Sequence, residues 1–89
     1  MQTIRLLISG KVQGVWYRKT SSLKAEELNL KGTVRNLEDG RVELVASGGK
    51  DDLKRLVNWC KRGPELAEVD NIELEEVEYQ SFSDFRIIR

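Results

Sequence analysis

Apolar and polar positions alternate from the start of the chain. Ile4, Leu6 and Ile8 interleave with Arg5 and Ser9, and Leu7 makes the second face partly apolar, the pattern of a central strand. From Tyr17 to Leu28 the period lengthens, placing Thr20, Leu23, Lys24, Glu27 and Leu28 on one side of a helix that Asn29 and Gly32 stop. Gly32 to Leu37 reads as a second strand, Glu38-Asp39-Gly40 as a hairpin turn, and Arg41 to Ala46 as a third strand broken by Gly48-Gly49. Asp51 and Asp52 then mark the N-terminus of a second helix, where negative charge is favoured. Its Leu53, Leu56, Val57 and Cys60 recur at i, i+3, i+4 and i+7, with Gly63-Pro64 as its end. Val69 to Tyr79 predicts a fourth strand, Ile72 and Leu74 alternating against acids, and Phe85-Arg86-Ile87-Ile88 a short fifth.

The order is β-α-β-β-α-β with a terminal β. It predicts an α+β, ferredoxin-like (split βαβ) sandwich: an antiparallel sheet with two helices packed on one face. No repeat, linker or low-complexity stretch interrupts it, so residues 1–89 are expected to form a single domain with one core.

Composition narrows the chemistry. The chain has no histidine, which excludes a histidine base, a phosphohistidine and a histidine-ligated metal. The single cysteine, Cys60, excludes an intrachain disulfide, fits a reducing compartment, and argues against a structural zinc site. At its place in the second helix it reads as a small core residue. No apolar run approaches the roughly 20 residues that span a bilayer. Met1 leads almost directly into a strand, leaving no room for a signal peptide, so a cytoplasmic protein is expected.

Fifteen Lys and Arg balance 15 Asp and Glu, so bulk charge suggests no polyanionic partner. The distribution is uneven: residues 1–41 carry eight bases against four acids, whereas residues 65–84 carry eight acids and no base. That acidic segment reads as a solvated strand face and loop.

Within the basic part, Gly10-Lys11-Val12-Gln13-Gly14-Val15-Trp16-Tyr17-Arg18 leaves the first strand and enters the first helix. Glycine lets backbone amides turn inward and approach a ligand. The helix start adds unpaired N–H groups and the positive end of its dipole. With Arg18 at the rim, this is chemistry suited to phosphate. The spacing alone fits equally a plain strand-to-helix turn with a surface arginine. The fold pattern brings Asn36, near the end of the second strand, toward the same place. Its amide can hold a water without deprotonating it, although it also suits a residue that supports the hairpin.

Such a fold has other uses, and the sequence bears on each. A nucleic-acid-binding sheet needs exposed aromatics for base stacking, and the first and third strands contain none. Gly10 and Gly14 form G-x-x-x-G outside any apolar helix, so they carry no membrane meaning. A catalytically silent domain that binds a small anion stays open.

Residues 10–18, with Gly32-Thr33-Val34-Arg35-Asn36-Leu37-Glu38-Asp39-Gly40-Arg41-Val42-Glu43, resemble both signature blocks of the acylphosphatases. The likeness extends to Phe85-Arg86-Ile87 and so covers essentially the whole chain. It implies hydrolysis of acyl phosphates to a carboxylate and inorganic phosphate, without metal or cofactor. A small monomer is the default expectation, and the composition and strand readings above predict no nucleic-acid or membrane partner. The resemblance further implies that Gln13, Gly14, Val15, Trp16, Tyr17 and Arg18 bind phosphate, chiefly through backbone N–H groups, and that Arg18 and Asn36 are catalytic, Asn36 positioning the attacking water. Tyr17 departs from the phenylalanine usual before the arginine, so its hydroxyl needs a partner. In some members the terminal carboxylate reaches the active-site arginine, which here would be that of Arg89.

Overall fold

The computed structural model describes residues 1–88. Its elements follow the predicted order: β1 (Gln2–Lys11), α1 (Tyr17–Glu27), β2 (Lys31–Asn36), β3 (Val42–Gly48), α2 (Lys50–Arg62), β4 (Glu68–Val77) and β5 (Phe85–Ile88). They build one sheet of strand order β4-β1-β3-β2-β5. β1 lies antiparallel between β3 and β4, and β2 lies antiparallel to β3. β5 joins the edge of β2 in parallel, so the expected antiparallel sheet is mixed at this edge. The reason is topological. β4 and β2 run in opposite directions, so a chain that reverses after β4 and crosses to the other edge meets β2 running the same way.

The crossing segment is tied to the sheet by a buried hydroxyl relay. Thr3 donates to Ser47 Oγ (2.6 Å), Ser47 donates to Gln80 O (2.7 Å), and the Gln80 N–H donates to Thr3 Oγ1 (2.8 Å). Thr3 and Ser47 are therefore buried without losing their hydrogen bonds.

Register places Leu6 opposite Leu44 and Ile8 opposite Val42, so alternate residues of β1 and β3 form one apolar face. Both helices pack on it. α2 contributes Leu53, Leu56 and Cys60, as its spacing predicts. For α1 the predicted face is corrected: Tyr17, Ser21, Ser22 and Ala25 are buried, while Leu23 is 54% exposed. Periodicity misleads because this face is built from small and hydroxyl residues. Ser21 and Ser22 donate to the carbonyls of Arg18 (3.0 Å) and Lys19 (2.8 Å), which removes the cost of burying them. α1 ends in a left-handed Asn29 (φ 60°), with Leu30 N–H bonded to Ala25 O and Asn29 N–H to Glu26 O, a Schellman closure in which asparagine serves in place of glycine.

The opposite face of the sheet is polar. Glu43 accepts from Arg5 Nε and Arg35 Nε, both at 2.8 Å, bridging β1, β3 and β2. Partial burial disfavours its charge, but the hydrogen bonds from Arg35 and Arg5 outweigh this and hold the carboxyl below its ordinary range. The acids of β4 are largely exposed, as expected, although Glu73 and Glu75 also reach Arg41 and Arg5. Among the described residues, no helix is long and apolar enough to cross a membrane.

Candidate functional site

β1 is longer than its alternation predicts. After a bulge between Ser9 and Gly10 it continues to Lys11, still paired with β4. Gly10 thus belongs to the strand and not to a ligand loop. A Cβ there would lie 2.2 Å from Glu68 O, so this glycine permits the close approach of two strands.

The connection to α1 is residues 12–16. Val12 and Val15 are buried and anchor it, while Gly14 (φ 74°) and Trp16 (φ 67°) both take left-handed backbone angles. A Cβ at Gly14 would meet nothing within 4 Å, so the demand there is conformational and the space beside it is open. The Gln13 side chain turns away from that space. Its Nε2 donates to Leu37 O (2.8 Å) and Arg41 O (3.0 Å), at the base of the β2–β3 hairpin. The loop and the hairpin that follows Asn36 are thereby locked together.

Tyr17 supports the loop from below. Its ring is buried, lies 5.7 Å from that of Trp59, and its hydroxyl donates to Cys60 O at 2.7 Å, the partner that this departure from phenylalanine requires. Burial, with Cys60 close by, pushes the phenol far above its ordinary value. Burial likewise pushes the Cys60 thiol up to about 12. Both groups are neutral supports, in keeping with the reading of Cys60 as a core residue.

α1 begins at Tyr17 with Trp16 as N-cap, no side-chain cap and no acid in its first turn. Trp16 O accepts from both Thr20 N–H (3.0 Å) and Thr20 Oγ1 (2.7 Å). The N–H groups of Tyr17, Arg18 and Lys19 precede this first bond and have no helical acceptor. Two cations, Arg18 and Lys19, stand where the helix dipole disfavours positive charge. Arg5, Arg35, Arg41, Arg55 and Arg86 pair with carboxylates, whereas Arg18 and Arg62 make no ion pair among the described residues, and of these two only Arg18 faces a cavity beside a helix start.

An open cavity of about 770 Å³ lies against this helix start, lined by Val12, Gly14, Trp16, Tyr17, Arg18, Lys19, Asn36 and Ile87. Asn36, the last residue of β2, has its Oδ1 buried with no hydrogen-bond partner among the described residues. A buried acceptor left unpaired costs desolvation energy and calls for an explanation. The cavity brings together Gly14, Trp16, Tyr17, Arg18 and Asn36 of the predicted set; Gln13 and Val15 lie off its wall. Lys19, Val12 and Ile87 are additions. Lys19 was signalled by its place beside Arg18 in the first helical turn. Ile87 had no local signal, because only the β5–β2 pairing carries it there. The expected contact of the Arg89 carboxylate with Arg18 lies outside the described residues.

The family model described as acylphosphatase matches residues 4–87. The chain is 56% identical over 82 residues to the acylphosphatase of Marinobacter nauticus, covering 91% of this chain and 89% of that one. Among solved structures, an acylphosphatase from Coxiella burnetii superposes with a TM-score of 0.95 at 46% identity, over 98% of this chain and 92% of that chain. An acylphosphatase from Bacillus subtilis superposes with a TM-score of 0.97 at 32% identity, over the full length of both.

Proposed function

The chain belongs to the acylphosphatase family, and from that premise we propose that it hydrolyses acyl phosphates to a carboxylate and inorganic phosphate in the cavity at the start of α1. The observation that carries the roles is the meeting, on one cavity, of an arginine and a buried amide oxygen that have no partner among the described residues. Arg18 supplies planar paired donors to phosphate oxygens. The backbone N–H groups of Gly14, Trp16, Tyr17 and Arg18, the members of the expected cradle that line this cavity, hold the remaining oxygens, helped by the positive end of the α1 dipole. Asn36 Oδ1 accepts a hydrogen bond from the attacking water and sets it in line with phosphorus.

Water oxygen bonds to phosphorus as the bond to the carboxylate oxygen breaks, and a phosphate oxygen of the substrate takes up the water's second proton, leaving dihydrogen phosphate. The leaving carboxylate is stable, so little protonation is needed. Phosphoryl transfer through a loose transition state is governed by positioning and charge stabilisation. Nothing in this scheme calls for an ionisable base, and among the described residues the cavity wall carries no carboxylate. We read the chain as a single-domain, monomeric cytoplasmic enzyme acting without metal or cofactor, and without a nucleic-acid or membrane partner. The aromatic-free β1 and β3 support the exclusion of nucleic acid.

The test is hydrolysis of benzoyl phosphate with and without a chelator. Turnover should survive chelation and be inhibited by inorganic phosphate. Arg18→Ala should lose phosphate binding and at least the 10²–10³-fold in rate typical of one preorganised donor. Asn36→Ala should lose turnover while retaining phosphate affinity. Saturable phosphate binding with no turnover by the wild type would make this an anion-binding domain instead. Near-normal hydrolysis by either folded variant would remove that residue from the mechanism.

A further inference from the structure

Resting on the reading of this cavity as an acyl phosphate site, we infer that Trp16 and Ile87 form its acyl-group subsite and select flat, apolar acyl groups, aromatic ones above all. Two features of Trp16 have no account in the fold. The residue is 73% exposed, although its indole is among the largest apolar groups of the chain. Its backbone also sits at φ 67°, a region that bulky residues rarely occupy and that glycine takes freely. A position that asks for glycine, on a surface that asks for a polar residue, holds an indole.

Ile87 repeats the pattern on the other element. It is 41% exposed, opposite Val34 in the β2–β5 register, and lines the same cavity. The cavity thus has two chemistries. Gly14, the first turn of α1, Arg18 and Asn36 make a polar end suited to phosphate. Val12, Trp16 and Ile87 supply apolar wall. At about 770 Å³ the space exceeds what a phosphate fills and falls within the range of small-ligand pockets. With phosphate at the polar end, the acyl substituent extends along the apolar wall.

The Trp16 backbone is held, since its carbonyl accepts from both the amide and the hydroxyl of Thr20. An indole on a fixed backbone offers stacking area at little ordering cost. Lys19, the remaining charged group on the wall, is exposed on a flexible stem, where salt screens it. The indole therefore outweighs Lys19 in sorting acyl groups.

The experiment compares kcat/KM for benzoyl phosphate and acetyl phosphate, taking the ratio so that general damage to the loop cancels. Trp16→Gly keeps the left-handed backbone without strain and should lower the benzoyl-to-acetyl ratio about tenfold. Trp16→Phe retains a flat face and should keep most of the ratio, and Ile87→Ala should lower it about threefold. An unchanged ratio in Trp16→Gly, or an equal fall for both substrates, overturns the subsite. Binding of benzoylphosphonate and acetylphosphonate, which are not hydrolysed, is titrated in parallel. Tighter benzoylphosphonate binding that is lost in Trp16→Gly sustains the subsite even if the wild type fails to turn over acyl phosphates, a failure that would instead overturn the proposed reaction. Equal binding of the two phosphonates overturns the subsite.

Discussion

Gln13→Met removes one amide that makes two hydrogen bonds, to Leu37 O at 2.8 Å and Arg41 O at 3.0 Å. Methionine has a similar length and leaves no unsatisfied donor behind. The two carbonyls keep other partners, since Gly40 N–H reaches Leu37 O at 3.2 Å and Leu37 N–H reaches Arg41 O at 2.8 Å. The loss is therefore the net worth of two partly buried bonds, at about 0.5–1.5 kcal/mol each, or about 1–3 kcal/mol in total. For a domain of this size each kcal/mol lowers Tm by about 4–8 °C, so a fall on the order of 10 °C is expected in a thermal melt. Activity should fall for a separate reason. The Gln13 amide joins the loop of residues 12–16 to the hairpin that begins just after Asn36, so its loss frees Asn36, the residue proposed to position water, relative to the proposed phosphate end. The kcat for benzoyl phosphate should drop while the inhibition constant for inorganic phosphate changes little. Gln13→Glu sharpens the test: its carboxylate would face two carbonyl oxygens, and its stability should recover as acid protonates it. A Gln13→Met protein with wild-type Tm would refute the energetic reasoning. Phosphate affinity falling in step with kcat would refute the idea that Gln13 acts through Asn36.

Tyr17→Phe removes only the bond to Cys60 O and should cost about 1 kcal/mol in denaturant unfolding, with turnover nearly unchanged. Glu43 has a native pKa below its ordinary 4.5, so its stabilisation is complete above that pH and is lost as pH falls toward the lowered native value. Glu43→Gln should accordingly flatten the acid limb of a stability-against-pH curve and lower its neutral plateau. The Cys60 thiol, fully buried and pushed up to about 12, should resist a disulfide reagent at pH 8 in the native protein and react at the rate of global opening. Rapid native labelling would contradict that burial.

What the chain reveals on inspection is what is local. The α2 stripe and the Asp39-Gly40 hairpin depend on neighbours a few residues apart and stand where periodicity and glycine placement predict. The loop from β1 into α1 starts later than Gly10 suggests, because pairing with β4 extends the strand to Lys11. The α1 face was illegible because Ser21 and Ser22 are buried by hydrogen bonds to their own helix, which no hydropathy pattern records. Arg18 and Asn36 were legible as candidates from their residue types and the family resemblance. Two further facts needed three dimensions: Gln13 works through its side chain at the hairpin, and Ile87 arrives by parallel pairing at the sheet edge.

That parallel edge divides the site by local stability. The proposed phosphate end is built on β1 and the start of α1 and is anchored by the buried Val12, Val15 and Tyr17. Ile87 sits on a strand of four residues, Phe85–Ile88, joined to the sheet along one side only. Such short edges occupy the low end of the opening free-energy scale, and their amides exchange with solvent ahead of those in central strands. The proposed site joins an anion grip on central elements to an acyl wall on a short edge strand, and Ile87 N–H should exchange with solvent ahead of the amides of β1.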